Sequence, residues 1–239
     1  MKRLFNILLL FFSIAFANAQ VYIYGISLEE LKGEVLNNKH VIVETNQRCI
    51  NLDTTVNIRD LFLLYFGSAF YDNYNPYAES LAYSIIESLY EEKKFKEVIE
   101  ECNNIIKDNP GIIKPFSYIG EAYYQLGDSA KARLAYTVYY NLLSLPFYSG
   151  NGTCYDSAFV VRSISDEYTI MHELGLNSIG QSLNYNNNIP FDILYTQNAE
   201  DNEEETGYYF NIYLPFSIGL KEILKSDSKE KKKRKNKKL

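Results

Sequence analysis

Residues able to make and break bonds are few in this 239-residue chain, which has two histidines, His40 and His172, and three cysteines, Cys49, Cys102 and Cys154. Nucleophilic catalysis needs a Cys or Ser beside a His and an orienting acid, so Cys154 or Ser182 with His172 is the one set on offer. Neither nucleophile lies in a nucleophile elbow. His172, next to Glu173 near the end of a helix, reads as a surface residue compatible with the helix dipole. Asp166-Glu167 is either a carboxylate pair for acid–base work or a pair of first-turn acids favoured by a helix N-terminus, and the second reading is the simpler. The run Glu200 to Glu205 lacks the ligand spacing of a calcium loop and reads as a solvated hairpin tip. Gly150-x-Gly152 follows a helix and precedes a strand, the reverse of a phosphate loop. Cys/His metal spacings are absent. The expectation is a protein that is not an enzyme, with no cofactor and no metal; the alternative is a Cys/His hydrolase using Cys154 and His172.

The elements around these residues suggest binding rather than catalysis. Shifted by 34 residues, the middle of the chain falls on itself: Leu89 onto Tyr123, Val98 onto Ala132, Cys102 onto Tyr136, Ile105 onto Tyr139. Phe116-x-x-Ile119-Gly120-x-x-Tyr123 and Ala132-x-x-x-Tyr136 match the two halves of the tetratricopeptide (TPR) helix-turn-helix consensus, with Ala82, Ile85, Leu89, Val98, Cys102 and Ile105 in the first copy. Two repeats fall short of the three or so that stabilise a stack, so flanking segments must cap them. Such repeats present a concave face at positions 2, 5, 9, 12 and 13. Here these are Ser80, Tyr83, Glu87, Tyr90 and Glu91, then Lys114, Ser117, Glu121, Tyr124 and Gln125. With twenty-two tyrosines and no tryptophan, a tyrosine surface flanked by carboxylates could take an extended or basic peptide or stack on sugar rings. It could equally be filled by the chain's own flanking segments.

Around the repeats, Ser27-Leu28-Glu29-Glu30 is a capping box opening a helix to about Asn37. Val41-Ile42-Val43 is β-branched and reads as a strand. Asn57 caps a buried helix from Ile58 to about Tyr71. After the turn at Pro146 to Gly152, a strand from Ala158 to Ser163 and a helix from Asp166 to about Leu174, stopped by Gly175, precede strands at Ser178 to Leu183, Phe191 to Thr196 and Tyr208 to Leu214. Ser217 to Lys225 reads as a last helix. The fold class is α+β: TPR-like α-helical repeat hairpins followed by a small β-meander/α module.

Met1-Lys2-Arg3, the apolar run Leu4 to Ala17 and Ala17-Asn18-Ala19 predict a signal peptide cut after Ala19; the run is too short for a membrane span. The expected divisions are the signal peptide at 1–19, a helical region at 20–145 with the repeats at about 79–141, the α+β module at 146–226, and a disordered basic tail at 227–239. The expected location is the periplasm or outside the cell, including association with the outer membrane. Net charge is −6 overall, but Lys229 to Lys238 carries +7 of it, so without that tail and without Lys2 and Arg3 the body stands at −15. An acidic body is a poor partner for nucleic acid. The tail could grip an anionic surface. A monomer is expected, with no transmembrane segment after cleavage. Cys102 falls on a repeat position facing the helix-pair core, which leaves Cys49 with Cys154 as the candidate disulfide.

Several further segments resemble one family: Asp53-Thr54-Thr55 ahead of Leu64-Tyr65-Phe66-Gly67, Tyr74-x-Pro76-Tyr77, Ser149-Gly150-Asn151-Gly152, Asp166-Glu167-Tyr168, Gly180-Gln181-Ser182-Leu183 and Tyr209-Phe210-Asn211-Ile212. From about Ile50 to Ile218 the chain is similar to domain of unknown function 4919, found in exported proteins of bacteria with an outer membrane. That resemblance implies no activity and no catalytic residues. Asn151, where the family's turn often carries Asp, speaks against a metal-binding turn. The combined expectation is an exported, non-catalytic interaction or scaffold protein of the cell envelope.

Overall fold

The computed structural model describes residues 22–23, 25–71, 74–77, 79–197 and 205–219, without the side chains of 22 and 79–82. The expected signal peptide, most of the acidic run at 200–205, the expected last helix beyond Gly219 and the basic tail lie outside the described residues.

A two-residue hairpin, β1 (Tyr22–Ile23) and β2 (Ile26–Ser27), leads into α1 (Leu28–Asn37). The capping box forms as the sequence predicts: Glu30 N–H donates to Ser27 Oγ at 3.2 Å and Ser27 N–H to Glu30 Oε2 at 2.9 Å, satisfying two donors that a helix start leaves orphaned. The Val41–Val43 patch is not a strand. It lies in α2 (Lys39–Ile50), where Ile42, Thr45, Asn46 and Cys49 form the buried face and Val43 is exposed. Their spacing of three and four is helical, and it outweighs the β-branching of three residues.

Asn57 Oδ1 accepts from Asp60 N–H at 2.9 Å and starts α3 (Ile58–Phe62), which runs on as a π turn (Leu63–Gly67) and a 3₁₀ turn (Ser68–Phe70). Leu61 to Ala69 are all buried, as expected for a segment apolar on every face.

Two helical hairpins follow: α4 (Glu79–Glu91) with α5 (Phe95–Asp108), and α6 (Pro115–Gln125) with α7 (Ser129–Ser149). Their tight turns repeat at the 34-residue period. Lys93 N–H bonds Tyr90 O and Lys94 N–H bonds Leu89 O; Gly127 N–H bonds Tyr124 O and Asp128 N–H bonds Tyr123 O. Lys93 and Gly127 occupy the same left-handed place, with φ of 58° and 79°. Side chains obey the period less strictly: Ile119 is buried, whereas its counterpart Ile85 is exposed and Ile86 takes the core position instead. Pro146 does not end α7, which continues to Ser149 before Gly150.

The connection from α5 to α6 passes hard against the buried π turn. Gly111 has φ +83°, and a Cβ there would sit 2.5 Å from Leu64 O.

After α7, Asn151 and Gly152 N–H both bond Ser157 O, and Gly152 O takes Tyr209 N–H, which pins the turn to the sheet. The expected strand from Ala158 to Ser163 shrinks to β3 (Phe159–Val160), because Arg162 and Ser163 turn inward and are fully buried. The chain then forms α8 (Ile164–Glu173), β4 (Gly180–Asn186), β5 (Ile189–Gln197) and β6 (Glu205–Asn211). Sheet order is β3-β6-β5-β4, with β3 parallel to β6 and the other pairs antiparallel. Asn187 and Asn188, at φ 50° and 63°, make the two-residue turn between β4 and β5, the conformation that matches strand twist. A π turn, Tyr213–Gly219, closes the described chain.

Candidate functional site

A cleft of about 860 Å³ lies between the second hairpin and α8. Helical spacing builds its walls: Lys114, Ser117 and Tyr118 from α6 and its N-cap, Tyr136, Tyr139 and Tyr140 from α7, and Ser165, Tyr168, Thr169 and His172 from α8. In each set, residues three or four apart share one face. Tyr83 of α4, Pro76 and Tyr77 complete it, so seven tyrosines line one cavity.

Most of their hydroxyls are already engaged. Tyr77 donates to Pro215 O at 3.1 Å, Tyr118 to Glu87 at 3.3 Å, Tyr136 to Glu121 at 3.1 Å, Tyr139 to Glu173 at 2.9 Å and Tyr168 to Gln181 at 2.7 Å. The cleft therefore offers chiefly ring surface. Burial, helped by Glu87 and Glu121, pushes the Tyr118 and Tyr136 hydroxyls up to about 12, so both are donors at any physiological pH.

Of the residues expected on the concave face, Tyr83, Lys114 and Ser117 line this cleft, and the side chain of Ser80 lies outside the described residues. Glu121 and Tyr90 join the helices instead: Glu121 accepts from Gln125 at 2.9 Å, Tyr90 at 2.9 Å and Tyr136 at 3.1 Å, tying α4, α6 and α7 together. Those bonds, Gln125's foremost, hold the Glu121 carboxyl below its usual range despite partial burial. Glu87 is engaged by Tyr118. Glu91, Tyr124 and Gln125 are exposed and do not line the cleft. Sequence reasoning missed Tyr118, Tyr136, Tyr139, Tyr140 and Tyr168, which the recurrence of tyrosine at helical spacing along α6, α7 and α8 could have shown.

Behind α8 is a buried polar centre that no motif announced. Arg162 is fully buried; its Nε donates to Ser68 Oγ at 2.7 Å, another guanidinium nitrogen donates to Asn109 Oδ1, and its plane lies 5.5 Å from the Tyr74 ring. Tyr65 Oη donates to Asp166 Oδ2 at 2.8 Å and accepts from Arg162 N–H at 3.3 Å, while Tyr74 Oη donates to Arg162 O. This knot joins the α3 segment and the α5–α6 connection to α8.

Asp166 and Glu167 lie in the first turn of α8 as the sequence suggests, and both are buried. Asp166 completes a capping box with Ser163 but is 1 % exposed, and Glu167 is 0 % exposed. Neither oxygen of Glu167 has a hydrogen-bond partner among the described residues. Burial first, then the carboxylates of Asp192 and Asp166, push the Glu167 carboxyl well above its usual range; burial also raises Asp192.

The candidate nucleophiles lie apart from this centre. Cys154 is exposed, with Sγ 3.2 Å from Ser157 Oγ, a contact that lowers its thiol below the ordinary value. Ser182 Oγ is 3.0 Å from Tyr195 Oη. His172 is a largely exposed side chain whose Nδ1 lies 3.8 Å from Glu173 Oε1. Cys49 and Cys154 do not form the expected disulfide: all three cysteines are free, and Cys49 is buried in the core while Cys154 is on the surface. The described residues contain no group of three or more His, Cys, Asp and Glu placed to hold a metal ion, and no described helix is long and apolar enough to cross a membrane.

No curated protein and no solved structure matches the chain. The family profile described as Domain of unknown function (DUF4919) matches residues 37–219, from the end of α1 through the sheet to the closing π turn, and the chain belongs to that family.

Proposed function

We propose that this is an exported, non-catalytic interaction protein of the bacterial cell envelope, and that the cleft between the second hairpin and α8 receives a segment of its partner. The observation carrying this reading is the concentration of seven tyrosines around one cavity of about 860 Å³, with five of their hydroxyls bonded to other protein groups. Ligand sites have this size and an apolar, aromatic lining with few polar groups, and tyrosine supplies contact area at low entropic cost. The 34-residue period of the hairpins fits a TPR-like repeat pair, an architecture that serves interaction more often than chemistry. Export rests on the leader-like residues 1–19, and recovery of a mature chain beginning at Gln20 from the envelope fraction would test it.

A photocrosslinking amino acid placed at Tyr140, which is 53 % exposed and lines the cleft, should give adducts in intact cells; at Tyr124, 63 % exposed and outside it, the same group should not. Adducts at both positions alike, or at Tyr124 alone, would refute the assignment of the partner to the cleft.

A further inference from the structure

The charged groups around the cleft are unequally satisfied. Its carboxylates are engaged: Glu173 accepts from Tyr139, Glu87 from Tyr118, and Glu121 from Tyr90, Tyr136 and Gln125. Lys114 is different. Its ammonium stands 4.6 Å from the Tyr83 ring centre and 5.6 Å from that of Tyr118, and it pairs with no carboxylate of the described residues. Two aromatic faces thus hold a cation in place, with no described carboxylate paired to it.

Backbone dipoles add to it. Lys114 is the N-cap of α6, and Ile164 and Ser165, which open α8, line the same cleft. The positive end of α6 therefore lies at Lys114, and that of α8 opens on the same cleft. The acids in the first turn of α8, Asp166 and Glu167, belong to the buried centre and do not line the cavity.

Building on the cleft as the binding site, we infer that the segment it takes is an apolar peptide stretch bearing an acidic side chain: the apolar groups lie on the tyrosine rings and the carboxylate pairs with Lys114. This selects against the basic peptide that an acidic body would otherwise attract. A sugar ring is a poorer fit, because the hydroxyls of the cleft wall are largely spent on protein partners and few remain to read its own.

Two dyes separate charge from ring surface in the full-length protein. 8-Anilinonaphthalene-1-sulfonate carries an aromatic body with one anion; N-phenyl-1-naphthylamine has that body without the anion. Lys114→Met should weaken the sulfonate dye about fivefold, the worth of one partly exposed charge pair, and leave the neutral dye unchanged, while Lys114→Arg restores the loss. The peptide acetyl-Leu-Leu-Glu-Leu-amide should then displace the sulfonate dye at lower concentration than its Gln counterpart. Equal effects of Lys114→Met on both dyes, or no difference between the two peptides, would overturn the inference. Failure of the underlying reading looks different: Tyr140→Ala with Tyr168→Ala would then leave both dyes bound, showing that they sit elsewhere.

Discussion

Replacing Glu167 by glutamine should make the protein more stable at neutral pH and leave it nearly unchanged in acid. The carboxyl is 0 % exposed, has no hydrogen-bond partner among the described residues, and faces the carboxylates of Asp192 and Asp166. Burial raises its folded pKa, so the folded chain keeps a proton that the unfolded chain releases near the ordinary value of 4.5. Folded protein then binds more protons than unfolded, and stability falls as pH rises above that value, until the folded pKa is passed. The limiting slope for one proton is about 1.4 kcal/mol per pH unit, a tenfold change in the unfolding constant. Glutamine has nearly the same shape and cannot ionise. Below about pH 4 the two proteins should agree to within about 1 kcal/mol, the range of one imperfectly paired buried amide. Above it they should diverge, at first by about that slope, with the variant the more stable. Asp166 and Asp192, both also raised, tilt the two curves alike and largely cancel. Urea unfolding followed by circular dichroism across a pH series measures the difference. Parallel stability curves, or a variant that is weaker at neutral pH by as much as in acid, would refute the placement of Glu167 as a neutral buried acid.

Tyr65→Phe should cost about 2 kcal/mol, because it withdraws the hydroxyl that donates to Asp166 and accepts from Arg162 N–H, leaving buried groups unpaired; an effect under about 0.5 kcal/mol in chemical denaturation would show that the knot does not bind the two halves. Lys93→Gly should stabilise by about 0.5–1 kcal/mol, since Lys93 holds the left-handed place that Gly127 fills 34 residues later, and a loss of stability would argue against strain there. Gly111→Ala should destabilise by about 2 kcal/mol or more, because it combines a φ of +83° with a Cβ 2.5 Å from Leu64 O, and a stability equal to that of the parent would contradict the close approach. Cys154 should react readily with a thiol reagent near neutral pH, and Ser157→Ala should slow it, since the Ser157 contact is the first cause of its lowered pKa. His172→Ala should leave the rate unchanged; slowing by that change would revive a Cys154/His172 pair.

Legibility in the sequence followed the range of the interaction that decided each element. Short-range signals were plain: the Ser27 and Glu30 capping box, the Asn57 cap, the Gly175 stop and the 34-residue period all rest on contacts a few residues apart or on repetition of one unit. Errors came where tertiary contacts decided. Val41–Val43 has strand propensity, but Ile42, Asn46 and Cys49 are drawn to one core on a helical face, and Asn46 Nδ2 donates to Ile106 O of α5 at 2.8 Å. The strand expected from Ala158 to Ser163 is shorter because Arg162 turns inward to Ser68 and Asn109, 94 and 53 positions away. No spacing rule ties such partners together. Only a small part of the site was visible in the same sense. Tyr83, Lys114 and Ser117 came from the repeat register, whereas the tyrosines of α7 and α8 face the cleft because of how the second hairpin docks on the module.

The two faces of α8 explain why the polar centre and the cleft belong to one design. One face carries Asp166 and Glu167 into the interior; the other presents Tyr168, Thr169 and His172 to the cavity. A helix of 10 residues has few contacts of its own to fix its angle, and a cleft built from ring faces works only if those faces keep their spacing. The Tyr65–Asp166 bond, with Arg162 anchored to Ser68 and Asn109, sets the start of α8 against the helical half, while Tyr168 to Gln181 and Tyr139 to Glu173 fix it to β4 and α7. Burying a guanidinium costs several kcal/mol unless its donors are met, so an apolar core would hold α8 more cheaply. What directional bonds add over apolar packing is one defined angle, and the wall of the tyrosine cleft is the part of this protein where that angle matters.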